Sequence, residues 1–144
     1  MKTNAKSIMA FSIALAALAF LAFKKSENKR LSEVRSLITQ GKWRVNLYRD
    51  NGADETNNFT GYEFQFKPNG TLVAFKENTK MSGHWKSILE DRTPRLYIDF
   101  DSASHLDELS EDWQVKQHGS DTLELEDITT GHGGTDYLSL QKIS

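Results

Sequence analysis

The side chains able to do chemistry in this 144-residue chain are four histidines, twenty acids and the hydroxyl residues; there is no cysteine. His84, His105, His118 and His132 show neither His-x-His nor His-x-x-x-His spacing. His84 falls on the outward phase of a strand pattern and the other three fall in loops or turns. A metal centre needs three or four convergent ligands and a supporting shell, and this spacing supplies neither. The stretch "DFDSASHLDELSED" invites a calcium reading, but Asp99, Asp101 and Asp107 depart from the EF-hand pattern, and Ser104 stands where that loop requires glycine. Asp107/Glu108 and Glu111/Asp112 are sequence neighbours, and neighbours rarely converge on one substrate. Gly131-His132-Gly133-Gly134 lacks the Lys-Ser/Thr ending of a phosphate loop and precedes a strand pattern. There is no Gly-x-Ser-x-Gly. The expectation is a protein that is not an enzyme and uses no metal and no cofactor.

Charge narrows the partners. Residues 1–30 hold six of the eighteen Lys and Arg and one of the twenty acids, which leaves the remainder with twelve cations, nineteen acids and a net charge of −7. Nucleic-acid binding needs clustered cations to neutralise phosphates, so no nucleic-acid partner is expected. Without cysteine, disulfides, thiolate metal sites and lipid attachment through sulfur are excluded.

The elements that would position any site begin with "MKTNAKSIMAFSIALAALAFLAFKKSENKR", which has a basic start, an apolar centre and a polar exit. The apolar run, residues 8–23, would reach about 24 Å as a helix, short of the roughly 30 Å hydrocarbon core. That length suits an export signal, with Ala17-Leu18-Ala19 as a small-x-small cleavage site, or a retained anchor. The exit "FLAFKKSENK" resembles the end of a bacterial lipoprotein signal, with Phe23 where the lipidated cysteine stands. Residues 1–30 are therefore expected to be a signal or anchor segment with a basic tether, and residues 31–144 one folded domain. The expected address is the cell envelope, on the periplasmic side, with membrane contact only through residues 8–23.

"LSEVRSLITQ", residues 31–40, places Leu31, Val34, Leu37 and Ile38 at helical spacing, and Gly41 follows as a stop. After it the period changes to two. Trp43, Val45 and Leu47 share one phase; so do Tyr62, Phe64 and Phe66. Pro68-Asn69-Gly70 turns into "TLVAFK", and "MSGHWKS", "RLYIDF", "DWQVKQ", "TLELED" and "YLSLQK" follow. These are eight strand candidates, mostly joined by short polar turns. Three connections are longer: 49–60, 101–111 with Leu106 and Leu109 on one side of a helical turn, and 128–135. Sequential alternating strands predict an all-β, eight-stranded antiparallel up-and-down barrel behind a short N-terminal helix. A two-sheet sandwich competes, but Greek-key crossings need longer connections than these turns.

Gly41-Lys42-Trp43 opens the first strand straight after the helix, and Gly83-His84-Trp85 repeats the triplet where chance would place about 0.2 in the whole chain. With "YEFQFKPNGTL" and "SGHW", these residues make the chain resemble the lipocalins, and more closely the short lipocalin-like proteins of bacterial envelopes. The resemblance spans about residues 35–142. It implies a barrel whose closed end is plugged by Trp43; Gly41, with no side chain, would let the preceding chain cross closely beneath that tryptophan. Lipocalins usually pack an Arg from the last strand on that Trp; Lys142 is the candidate here. The C-terminal helix of that family has no counterpart.

Eight strands enclose a space that side chains can fill or that one small ligand can occupy. The inward set is bulky, so any pocket would lie near the open end, where Gly83 and Ala74 are small. The leading expectation is binding of a small hydrophobic molecule by Tyr62, Phe64, Ala74, Gly83, Trp85, Ile98 and Trp113. The alternative is a ligand-free barrel with a filled core, acting as a structural or protein-interaction module in the envelope through "RDNGADETNNFT" and "ITTGHGGTD".

Overall fold

The computed structural model of the chain describes residues 5–128 and 134–144. A single helix, α1 (Ala5–Ile38), runs into β1 (Trp43–Asp50), followed by a two-residue strand β2 (Ala53–Asp54), β3 (Glu63–Phe66), β4 (Thr71–Lys76), β5 (Thr79–Glu90), β6 (Thr93–Asp99), β7 (Glu111–His118), β8 (Thr122–Ile128) and β9 (Thr135–Lys142). The expected helix over 31–40 is only the last part of α1. The reason is visible in composition: neither Gly nor Pro occurs before Gly41, and the "basic tether" is made of residues that a helix tolerates. Gly41 then adopts φ +71°, a left-handed conformation that ends the helix.

From β3 to β9 each strand pairs antiparallel with the next, and β9 returns to β1, closing an eight-stranded barrel; β2 only extends the tip of β1. The closing seam is long on one side, from Trp43↔Lys142 to Arg49↔Tyr137, and brief on the other, where Trp43↔Phe64 joins β1 to β3. Closure gives every main strand a partner on each side, so none is left as a free edge strand.

The alternation forecasts the core well at Trp43, Phe64, Phe66, Leu96, Ile98, Trp113, Leu123, Leu125, Leu138 and Leu140, all buried. It fails in β1. A register shift between Val45 and Leu47 turns the phase over, so Tyr48 enters the core and Leu47 lies half-buried. The 49–60 connection is not wholly loop: it holds β2 and a 3-10 turn, Thr56–Phe59, whose Phe59 is buried. The 101–111 connection contains the expected turn, His105–Leu109, with Leu106 and Leu109 buried.

Candidate functional site: the barrel interior and its two mouths

At the closed end, α1 places Val34 and Ile38 against the barrel, both fully buried. Trp43 completes the plug. Its indole Nε1 donates to the Ile38 carbonyl oxygen at 3.1 Å, which satisfies one of the free carbonyls at the helix C-terminus. The Lys142 ammonium lies 5.8 Å from the Trp43 ring centre, so the cation expected from the last strand does sit on that tryptophan. At Gly41 the close crossing is made by the C-terminal residues and not by the preceding chain: a Cβ there would collide with the Ser144 carbonyl. Ile143 N donates to the Lys42 carbonyl at 2.8 Å and fixes that crossing. Arg35 fastens the helix to the barrel wall, donating from Nε to Ser87 Oγ at 3.1 Å and from a terminal nitrogen to the Ser87 carbonyl at 3.2 Å.

The other mouth is covered by the two 3-10 turns. Ser104 caps the second by accepting from Leu106 N at 3.2 Å. Leu106 and Leu109 descend into the barrel, and Phe59 enters from the first turn. Trp113 Nε1 donates to the Leu109 carbonyl at 3.0 Å, and Tyr48 OH donates to the Glu108 carbonyl at 2.9 Å. Burial, with the nearby carboxylates Asp50, Asp136 and Glu108, pushes the Tyr48 phenol well above its ordinary value, so it stays a donor. Around these plugs the rings meet edge to face: Tyr48 on Phe59 at 5.2 Å, Tyr48 on Trp113 at 6.4 Å and Phe64 on Phe100 at 6.3 Å.

The residues expected to line a ligand site are all buried on the inner phase, but what surrounds them is protein. Gly83 leaves no gap: a Cβ there would meet the Asp99 carbonyl at 2.5 Å and the Phe100 ring at 2.8 Å. Ala74 is paired with Phe64 on one side and Met81 on the other. Tyr62 packs against Phe64 and His105. Trp85 donates to the Lys67 carbonyl at 2.8 Å, and Trp85 and Ile98, paired across β5 and β6, border a solvent-open depression of about 420 Å³ with Tyr97 and Glu111. A second depression, about 360 Å³, opens at the mouth between Met81, Phe100 and Ser104. A third, about 520 Å³, separates α1 at Arg35 from the Pro68–Gly70 turn.

Reading by alternation missed Tyr48 and Phe59. The bulge in β1 interrupts no sequence pattern, and Phe59 sits alone in a polar run, so neither carried a signal. Among the described residues, no group of three or more His, Asp and Glu converges as a metal site. His84 is exposed on the outer face, and His118 lies 3.9 Å from Glu33; His132, with the rest of 129–133, lies outside the described residues.

Fold and site together define a closed eight-stranded antiparallel barrel entered by an N-terminal helix and stoppered at both mouths by its own side chains. The crystal structure of a duf4847 family protein from Bacteroides vulgatus ATCC 8482 is similar to it, with a TM-score of 0.51 and 19% sequence identity over 76% of this chain and 97% of that one. At that identity the likeness is one of fold. No protein-family model and no curated protein matches the chain.

Proposed function

We propose that this protein is a non-enzymatic, lipocalin-like barrel of the bacterial cell envelope that works as an interaction module with a filled core. The observation that carries this reading is the double stopper: Val34, Ile38 and Trp43 occupy one mouth, and Phe59, Leu106 and Leu109 the other. A carrier needs an apolar pocket of several hundred cubic ångströms inside the barrel; Tyr62 packs on Phe64 and Gly83 is filled by Phe100, and the depression that Trp85 and Ile98 border opens to solvent. The lipocalin-like assignment rests on Gly41-Lys42-Trp43 at the floor and on Lys142 over Trp43. Partner contacts fall to the loops at the mouth covered by the 3-10 turns, residues 49–60 and 128–136, carried on the barrel as a scaffold.

The envelope address rests on α1. Leu18, Phe20, Leu21 and Phe23 are each about three-fifths exposed on a helix that continues unbroken into the barrel. No helix among the described residues is long and apolar enough to cross a membrane. In this reading the helix is retained and inserts into one leaflet, with the barrel on the periplasmic side. Intact-mass measurement on the protein recovered from fractionated cells checks it. The expected product is the uncleaved chain in the membrane fraction, and a full-length product wholly in the cytosol would sink the address.

A second reading, a small hydrophobic ligand, is favoured by the depression beside Met81, Phe100 and Ser104. The 3-10 turn His105–Leu109 follows directly on Ser104 at its rim, and displacing that turn would free Trp113 from the Leu109 carbonyl. A photoreactive fatty acid separates the two readings. Labelling of the full chain, mapped by peptide mass spectrometry, should mark residues 8–23 and leave the strands unlabelled. Label on Phe64, Ile98 or Trp113 would establish the ligand reading.

A further inference from the structure

We infer that Lys24, Lys25, Lys29, Arg30 and Arg92 form a collar for an anionic phospholipid surface, setting the barrel with its closed end against the membrane. This rests on the envelope reading of α1 and goes beyond it by naming the lipid chemistry and the orientation of the barrel.

Three observations meet here. First, the exposed apolar residues Leu18 to Phe23 are followed at once by Lys24, Lys25, Lys29 and Arg30, which at 3.6 residues per turn are spread around the helix rather than along one side. Second, the helix does not end there. It continues to Ile38, whose side chain is inside the barrel, and Arg35 ties it to Ser87. A rigid connection therefore replaces a tether, so the depth of the apolar segment fixes the position of the barrel. Third, the β5–β6 hairpin reaches the collar: Arg92 Nε stands 3.6 Å from Glu27 Oε1, about one helical turn beyond Phe23.

The hairpin tip supports a role for that arginine. Asp91 and Arg92 both have positive φ, 48° and 65°, as in the two-residue hairpin turn that ordinarily takes Asn-Gly. An arginine in the left-handed region is uncommon, and here it lifts an exposed guanidinium to the end of the barrel that the helix enters. Among the described residues, four acids stand beside these five cations, and none of the four is in an ion pair with Lys24, Lys25 or Arg30. Glu27 is engaged by Arg92 and Glu33 by Lys29, Glu90 turns to Arg95, and Asp91 is the remaining one at the tip. Basic residues beside a membrane-inserted helix attract anionic lipid, each strengthening binding about fivefold. The barrel's own charge of −7 over residues 31–144 would be repelled by such a surface, so the collar also selects which end faces it.

The test uses the full chain with vesicles of phosphatidylcholine alone and of phosphatidylcholine mixed with phosphatidylglycerol. Binding should be tighter on the anionic vesicles and weaken with salt. Replacing Lys24, Lys25, Lys29 and Arg30 by Gln should remove at least about a hundredfold of that preference, and Arg92→Gln alone about fivefold. Because the chain has no cysteine, single labels can report depth. A fluorophore on Asp91→Cys should be quenched by headgroup-labelled lipid, and one on Glu77→Cys, at the far end of β5, should not. Equal binding to both vesicles with a silent Arg92→Gln overturns the collar while leaving the inserted helix standing. Anionic preference with the Asp91→Cys label unquenched overturns the orientation. Binding to neither vesicle by a folded chain removes the envelope reading itself.

Discussion

The two mouths of the barrel are closed by one device in two strengths. In each, a buried tryptophan donates its indole N–H to the carbonyl of the apolar residue that forms the plug: Trp43 to Ile38 below, Trp113 to Leu109 above. Below, that plug is the end of a 34-residue helix, reinforced by Arg35 on Ser87, Lys142 on Trp43 and the C-terminal crossing at Gly41. Above, it is a five-residue 3-10 turn, and Tyr48 supplies the second tie. The difference teaches where the molecule can open. Short 3-10 segments have few internal hydrogen bonds, so the upper stopper depends on tertiary contacts that can be lost locally.

The largest way to break the comparison is Trp43→Ala. It removes the floor, the helix-end hydrogen bond and the seat of Lys142 together, and should cost about 3–5 kcal/mol, read as loss of the cooperative denaturant transition or a large fall in its midpoint. Leu109→Ala should cost less, about 2–3 kcal/mol, because a surface turn can settle into the space it leaves. Its signature should be local: hydrogen exchange should quicken over 101–111 and at Trp113 while Trp43 and α1 keep their protection. If both ends loosen equally, the mouths are one cooperative unit and the contrast between them is lost.

Gly83→Ala tests how full the wall is. A methyl group must displace the Asp99 carbonyl or the Phe100 ring, and overpacking of that kind costs about 1–3 kcal/mol. A neutral result in a thermal melt would mean that the interior has the spare room a ligand needs. Tyr48→Phe keeps the ring contacts with Phe59 and Trp113 and deletes only the bond to Glu108, so about 0.5–1.5 kcal/mol should disappear. The loss should again appear as faster exchange at the upper turn.

The asymmetry also explains what could be read from sequence. The lower mouth was legible because its parts are adjacent in the chain: Val34 and Ile38 at helical spacing, then Gly41 and Trp43, with Lys142 in the last strand as the one cation in the expected place. The strands were legible because their burial is one-sided, and Leu123, Leu125, Leu138 and Leu140 follow the alternation without exception. The upper mouth depends on residues far apart in sequence. Tyr48 reaches Glu108 across sixty positions, and it does so only because a bulge after Val45 reverses its side of the sheet. Gly83 misled for a related reason. A small residue on an inner phase signals space only if no neighbour fills it, and Phe100, seventeen residues on, does.

The smallest expected effect concerns protons at the upper rim. Asp127 on β8 is paired directly across from Asp136 on β9, with Glu111 and Asp112 of β7 nearby, and its Oδ2 is buried without a hydrogen-bond partner. Burial, followed by the charges of Glu111, Asp136 and Asp112, raises its carboxyl to about 6. The folded value lies above the unfolded one of about 3.9, so the folded state holds the proton more tightly. The resulting stability is fully present below about pH 4 and is lost as pH rises through about 6. Other carboxylates work the opposite way: hydrogen bonds from Thr56 lower Asp54. The difference between Asp127→Asn and the parent is therefore the informative quantity. The variant should lack this component and gain stability relative to the parent as pH goes from 4 to 7, by under about 1 kcal/mol for a group partly open to solvent. A difference that stays constant with pH, in melts taken at matched ionic strength, would show that Asp127 titrates alike in both states. The rim would then be a set of separately solvated acids, with no proton held between β7, β8 and β9.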